Sequence, residues 1–311
     1  MVEPSSVLEA IGNTPLVALR SVVPPGHARV LVKLEGANPT GSMKDRMAIS
    51  VIERAEADGR LPPGGTVVEY TGGSTGTSLA LVCAAKGYKI KIVTSDAFSQ
   101  EKRDHMRALG GELIEVPSRD GRITKELIEE MIDRAYRLSE SPGTFYSDQL
   151  QNTDAIAGYQ PLGEEIWSQS AGNVDAFVQV VGTAHSIEGT ASVLRHHNPD
   201  LYVVAVEPAE SPVLSGGEPG AHKIEGIGIG FVPQLWNDSV ADEIMTVSTE
   251  EAKSMARRLA SQEALFAGTS SGANVVAAIR VARQLGPGHT VVTLLVDSGL
   301  KYLTTDLYAS S

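Results

Sequence analysis

Apolar residues follow two alternating rhythms along this chain. Short, nearly unbroken apolar runs at residues 30–34, 66–69, 90–93, 176–181, 202–206 and 290–296 read as strands. Several are continuously apolar, as expected of parallel strands covered on both faces. Between them lie amphipathic patterns of helical period, at residues 45–58, 75–86, 100–109, 125–138, 249–262 and 273–285. Strand–helix alternation of this length predicts a doubly wound α/β architecture. Two such runs, 41–148 and 149–311, predict two lobes, with no low-complexity linker and no short-period repeat.

Composition narrows the function classes. A chain of 311 residues can bury one large core or two linked ones, and 42% hydrophobic content fits a soluble globular protein. With 26 basic and 38 acidic residues the formal charge is −12, which argues against nucleic acid or an anionic membrane as partner. No stretch approaches the ~20 apolar residues that span a bilayer. The first six residues lack the basic-then-apolar order of a secretion signal. Cys83 stands alone, so no intrachain disulfide forms and a reducing cytoplasm is expected. It lies in an apolar helical run and reads as a packed small hydrophobe. No Cys/His spacing suggests zinc, so no metal is expected.

Candidate chemistry begins at Asn38-Pro39-Thr40-Gly41-Ser42-Met43-Lys44-Asp45-Arg46. Lys44 follows a Pro/Gly/Ser turn and opens a helical pattern, where the helix dipole and Arg46 both disfavour its protonated form. A partly neutral lysine can form a Schiff base with a carbonyl. Thr71-Gly72-Gly73-Ser74-Thr75-Gly76 leads from a strand into a helix. It suits an anion at the helix start, or is an ordinary capped turn. Two other patterns mislead. Gly268-Thr269-Ser270-Ser271-Gly272 matches a nucleophile elbow literally, but a weak strand precedes it and His289 is the only later histidine. The glycines of 226–230 do not form a dinucleotide fingerprint, since Pro233 stands where a helix should begin.

Six motifs occur in order: Ile11 to Leu16, Asn38 to Arg46, Glu69 to Gly76, Ser211 to Gly217, His222 to Phe231 and Gly268 to Ala273. Together they resemble the cysteine synthase family, pyridoxal-phosphate enzymes of the tryptophan synthase β type (fold type II), over nearly the whole chain. The resemblance implies two α/β lobes with the active site in the cleft between them, at the carboxyl ends of the strands. Residues 1–40 would pack largely on the large lobe. Residues 41–148 would form a small lobe carrying Lys44 and a substrate-carboxylate loop, and 149–311 a large lobe carrying a cofactor phosphate loop.

By the same resemblance, Lys44 binds pyridoxal 5'-phosphate and is the catalytic residue. Thr71, Gly72, Gly73, Ser74 and Thr75, with Gln149 and Gly226, bind substrate, and Ser74 also neighbours the cofactor ring. Gly182, Thr183, Ala184, His185 and Ser186 cradle the phosphate. Ser298 faces the pyridine nitrogen, although adjacent Asp297 is an open alternative. The chain departs from the family in three places. Ser74 replaces an asparagine, Ala184 and His185 replace glycines, and Asn152-Thr153-Asp154 replaces an asparagine-proline pattern.

The implied reaction is β-replacement, turning O-acetylserine and sulfide into cysteine and acetate. A serine or threonine ammonia-lyase, another nucleophile, an O-phosphoserine donor and a non-catalytic binding homologue stay open. The phosphoserine option lacks an arginine near 226–233, though Lys223 is close. Expected partners are a small amino-acid substrate, a small nucleophile, a second copy in a homodimer and the tail of serine acetyltransferase.

Overall fold

A computed structural model describes residues 6–121 and 124–308. In chain order the elements are β1 (Leu16–Ala18), β2 (Arg29–Leu34), α1 (Lys44–Ala57), β3 (Thr66–Tyr70) and α2 (Ser74–Lys86). There follow β4 (Lys89–Ser95), α3 (Gln100–Ala108), β5 (Glu112–Val116), α4 (Lys125–Ser139), β6 (Thr144–Tyr146) and α5 (Asp154–Ala157). The remainder comprises α6 (Gln160–Gln169), β7 (Ala176–Val180), α7 (His185–His197), β8 (Tyr202–Pro208), β9 (Glu243–Val247), α8 (Thr249–Glu263), α9 (Thr269–Leu285) and β10 (Thr290–Leu295). Short 3-10 turns occur at Val7–Ala10, Glu35–Ala37 and Gly299–Tyr302. Among the described residues no helix is long and apolar enough to cross a membrane.

The chain divides into two compact units, Met1–Ile11 with Lys44–Gly158 and Gly12–Met43 with Tyr159–Ser311. The first holds a four-stranded sheet in the order β5-β4-β3-β6, parallel throughout. Val67, Val68, Glu69 and Tyr70 of β3 are all buried. α1 buries Met47, Ala48, Val51, Ile52 and Ala55, a stripe at the spacing of one helix face. α4 begins where the Thr124 hydroxyl caps the Leu127 amide at 3.2 Å, and buries Leu127, Met131 and Ala135 at four-residue intervals. Along α2, small residues let neighbours come close. A Cβ on Gly76 would lie 2.5 Å from both Met106 Sδ and Thr71 Cγ2.

The second unit holds a six-stranded sheet in the order β1-β2-β10-β7-β8-β9. β1 is antiparallel to β2 and the other pairings are parallel. Every residue of β7 and of β10 is buried. α8 starts with a capping box between Ser248 and Glu251. Its last residue, Glu263, accepts the backbone amides of Ser21 at 2.5 Å and Val22 at 2.8 Å, which ties the loop after β1 to this helix. Lys33 of β2 is fully buried, with its ammonium 2.7 Å from Glu165 and 2.9 Å from Gln169 on α6.

The doubly wound α/β expectation holds in both units. Each core strand read from an apolar run is present, while the strands that escaped the pattern are short or at the sheet margin. β1 and β6 have three residues each, and β5, with exposed Glu112 and Glu115, is an edge strand. Because β4, β3 and β6 run parallel, the loops after them leave from one edge of their sheet. The loops after β2, β10, β7 and β8 likewise share one edge of theirs.

Candidate functional site

Lys44 is the first residue of α1 and partly buried. The turn that delivers it is held at each step. Gly41, at φ +75°, donates its amide to Asn38 O at 2.7 Å, and Met43 N donates to Val296 O at 2.9 Å. Asn38 Nδ2 donates to Glu35 Oε2 at 2.9 Å, and Asn38 Oδ1 accepts the Gly12 amide at 2.8 Å. Named partners therefore hold this turn at both ends.

In the first unit, the loop after β3 turns into α2 at Ser74. The Thr71 amide continues the strand to Val93 O, and the Gly73 amide donates to Thr71 Oγ1 at 3.1 Å. Gly73 stands at the N-cap with no side-chain cap, so the helix offers amides to a ligand in place of a serine or threonine oxygen. Phe98, from the loop after β4, lies so close over Gly72 that any Cβ there would overlap its ring. The aliphatic chain of Lys102 covers Gly73 in the same way, 3.1 Å from where a Cβ would be.

Gln149, in the loop after β6, reaches this turn directly. Its Oε1 accepts the Thr75 hydroxyl at 2.8 Å and its Nε2 donates to Tyr70 O at 2.9 Å. Behind it, Glu69 accepts from the Gln149 amide at 3.0 Å, Ser147 Oγ at 2.8 Å and the Tyr70 amide at 3.0 Å. Burial pushes the Glu69 carboxyl up to about 8, against the opposing pull of those donors.

In the second unit, the loop after β7 passes through Gly182, Thr183 and Ala184 into α7. A Cβ on Gly182 would overlap the carbonyl oxygen of Gly226, and Gly228 N donates to Val181 O at 3.4 Å. The loop after β7 and the 226–228 segment thus lie side by side. Gly226 needs its glycine, at φ +82°. Ala184 sits at φ +68° as the N-cap of α7, which has no side-chain cap. Thr183 Oγ1 and His185 Nδ1 are 3.0 Å apart, and Gln179 Nε2 donates to Ser186 Oγ at 3.2 Å. Uncapped helix amides beside two hydroxyls and a histidine, with no acidic residue from 181 to 187, fit a phosphate.

The loop after β10 carries Asp297 and Ser298. Ser298 N donates to Gly41 O at 2.9 Å, and its hydroxyl oxygen accepts the Leu300 amide at 3.3 Å, so the hydroxyl proton is directed elsewhere. Asp297 Oδ2 accepts the buried Tyr302 hydroxyl at 2.6 Å. Burial, followed by the charge of Asp297, raises the Tyr302 phenol well above its ordinary value. Ser298 is thereby joined to Gly41 and Leu300, and not to the 182–186 loop on the neighbouring strand.

The nucleophile-elbow pattern is absorbed by structure, since Thr269 to Gly272 form the first turn of α9, one turn earlier than the apolar period suggests. Three supporting residues escaped the sequence reading. Glu69 and Gln179 are single polar residues in apolar strands, and that interruption was the available signal. Asn274, inside α9, donates to Gln179 Oε1 at 3.1 Å and accepts the Val180 amide at 2.7 Å, so it braces the end of β7. Nothing local in the sequence marks it.

Comparison with known proteins places the chain. A family model described as "Pyridoxal-phosphate dependent enzyme" matches residues 7–297. A cysteine synthase of Staphylococcus aureus is 44% identical over 306 residues, covering 98% of this chain and 97% of that one. The crystal structure of a cysteine synthase (OASS) from Entamoeba histolytica superposes with a TM-score of 0.92 at 36% identity, covering 98% of this chain and 90% of that one. An O-ureido-L-serine synthase structure gives 0.91 at 38% identity, covering 97% and 94%. The chain therefore belongs to the pyridoxal-phosphate dependent enzymes, within the cysteine synthase family, and pyridoxal phosphate is its cofactor.

Proposed function

We propose that this protein is a β-replacement enzyme, a cysteine synthase that exchanges the acetoxy group of O-acetylserine for sulfide and releases acetate. The observation that carries this reading is Lys44 at the head of α1, after a turn pinned on both sides. Lys44 would hold the cofactor through its amine and would serve as the base and acid for the proton at the substrate α-carbon. The chemistry that pyridoxal phosphate supplies when bound is an electron sink for that carbon. Gly182, Thr183, Ala184, His185 and Ser186 hold the phosphate. Ser298 would donate its proton to the ring nitrogen, while Asp297 is engaged by Tyr302. A hydroxyl partner would keep that nitrogen neutral and so moderate the electron sink.

Thr71, Gly72, Gly73, Ser74 and Thr75 grip the substrate carboxylate together with Gln149, and Gly226 lines the substrate's other side. Ser74 also neighbours the cofactor ring. Two measurements test this. Borohydride reduction followed by peptide mass spectrometry should find the pyridoxyl group on Lys44. O-Acetylserine and sulfide together should yield cysteine, and release of pyruvate without sulfide would instead mark a lyase.

A second reading, β-replacement with a nucleophile other than sulfide, is favoured by the likeness to an O-ureido-L-serine synthase at 38% identity. Competition between sulfide and hydroxyurea for the same turnover separates the two. The protein is further read as a cytoplasmic homodimer that docks the tail of serine acetyltransferase. In support, the single thiol, Cys83, is buried and pushed up to about 12, so it has no part in a disulfide framework. Light scattering at twice 32.8 kDa and titration with a serine acetyltransferase tail peptide test the two associations.

A further inference from the structure

Glu69 is a fully buried carboxyl group in the middle of a sheet, where its strand neighbours Val67 and Val68 are equally buried. Burying a carboxylate costs several kcal/mol unless donors meet it. A valine would suit the apolar surroundings of β3 but leave the Tyr70 and Gln149 amides without their acceptor. What Glu69 has that valine lacks is a pair of oxygens to meet the polar groups on the turn after β6. One oxygen, Oε2, takes both the Ser147 hydroxyl at 2.8 Å and the Gln149 backbone amide at 3.0 Å, while Oε1 takes the Tyr70 amide at 3.0 Å. The backbone it fixes belongs to the residue whose side chain clasps Thr75 Oγ1 at 2.8 Å and Tyr70 O at 2.9 Å.

We propose that Glu69 is a positioning residue that sets the pose of Gln149, and through it of Thr75, for recognition of the amino-acid substrate's α-carboxylate. The proposal rests on the reading of residues 71–75 and Gln149 as the carboxylate grip. The Gln149 and Tyr70 amides can only donate to Glu69, while the Ser147 hydroxyl has Val68 O as a second partner at 3.1 Å and so admits the proton that Glu69 holds. An amide in its place keeps the shape, but its NH2 group cannot accept, so one of the two backbone amides loses its acceptor and the turn shifts while the strand stays.

The test uses the holoenzyme and two ligands that cannot lose a β-group: L-methionine and the amine made by removing its carboxylate. Binding is read from the change in cofactor absorbance for wild type, Glu69→Gln, Gln149→Ala and the double variant. Glu69→Gln is expected to weaken L-methionine about tenfold and to raise KM for O-acetylserine similarly. The kcat should stay within about threefold and binding of the amine should not change. In the double variant the loss should match that of Gln149→Ala alone, because one residue acts through the other. Fully additive losses, unchanged L-methionine binding, or equal weakening of both ligands would overturn the proposal. Should Glu69→Gln not fold, Ser147→Ala removes one donor and is expected to weaken L-methionine about threefold; no change would count against Glu69. A wild-type protein whose absorbance answers to no amino acid would overturn the carboxylate-grip reading itself, whereas a responsive wild type with an additive cycle removes only the role of Glu69.

Discussion

At position 69, burial and hydrogen bonding pull the carboxyl in opposite directions and burial prevails, moving it from 4.5 to about 8. Between those values the unfolded chain has given up a proton that the folded chain still holds. Glu69 therefore contributes its stability in full below 4.5 and loses it as pH rises through 8. Glu69→Gln does not titrate, so its thermal midpoint should gain on that of wild type between about pH 5 and 8. A constant gap would show that Glu69 ionises normally. At position 44, alanine removes the amine that anchors the cofactor. Lys44→Ala is expected to lose at least about 10³-fold in turnover and to carry no pyridoxyl group after borohydride reduction. Single residues were legible in proportion to the oddity of their sequence setting. Lys44 announces itself after a Pro/Gly/Ser turn, whereas Asn274 looks like any polar helix residue, because the strand ends it braces are distant in sequence.

Elements were legible where both faces are covered, because burial on two sides forces an unbroken apolar run, as in β7 and β10. Margins obey a weaker rule, and β5 and β9 were overlooked because each leaves polar side chains in solvent. One connection that no pattern foretells is the ion pair joining β2 to α6. Lys33→Met leaves Glu165 without its ammonium partner and is expected to cost about 3 kcal/mol in urea denaturation. Adding Glu165→Leu should recover most of that loss; failure to recover would mean the stem of Lys33 matters more than its charge. A second element-scale consequence concerns the close approach of two loops. Gly182→Ala places a methyl group against the Gly226 carbonyl, so the loop must yield. Affinity for pyridoxal phosphate, measured by fluorescence titration of the stripped protein, should fall by about tenfold or more.

On the scale of the whole molecule, a cofactor that binds only the folded chain adds stability by mass action, about 2.7 kcal/mol at a hundredfold excess over its dissociation constant. Stripping it with hydroxylamine should lower the thermal midpoint, and adding it back should restore it. The strand order of the second unit has another effect. β10, the last strand in sequence among the described residues, lies between β2 and β7. A nascent chain on the ribosome must therefore keep the facing edges of β2 and β7 apart until β10 has been made. Premature termination after residue 285 would leave those edges permanently open, and such a fragment should partition into inclusion bodies.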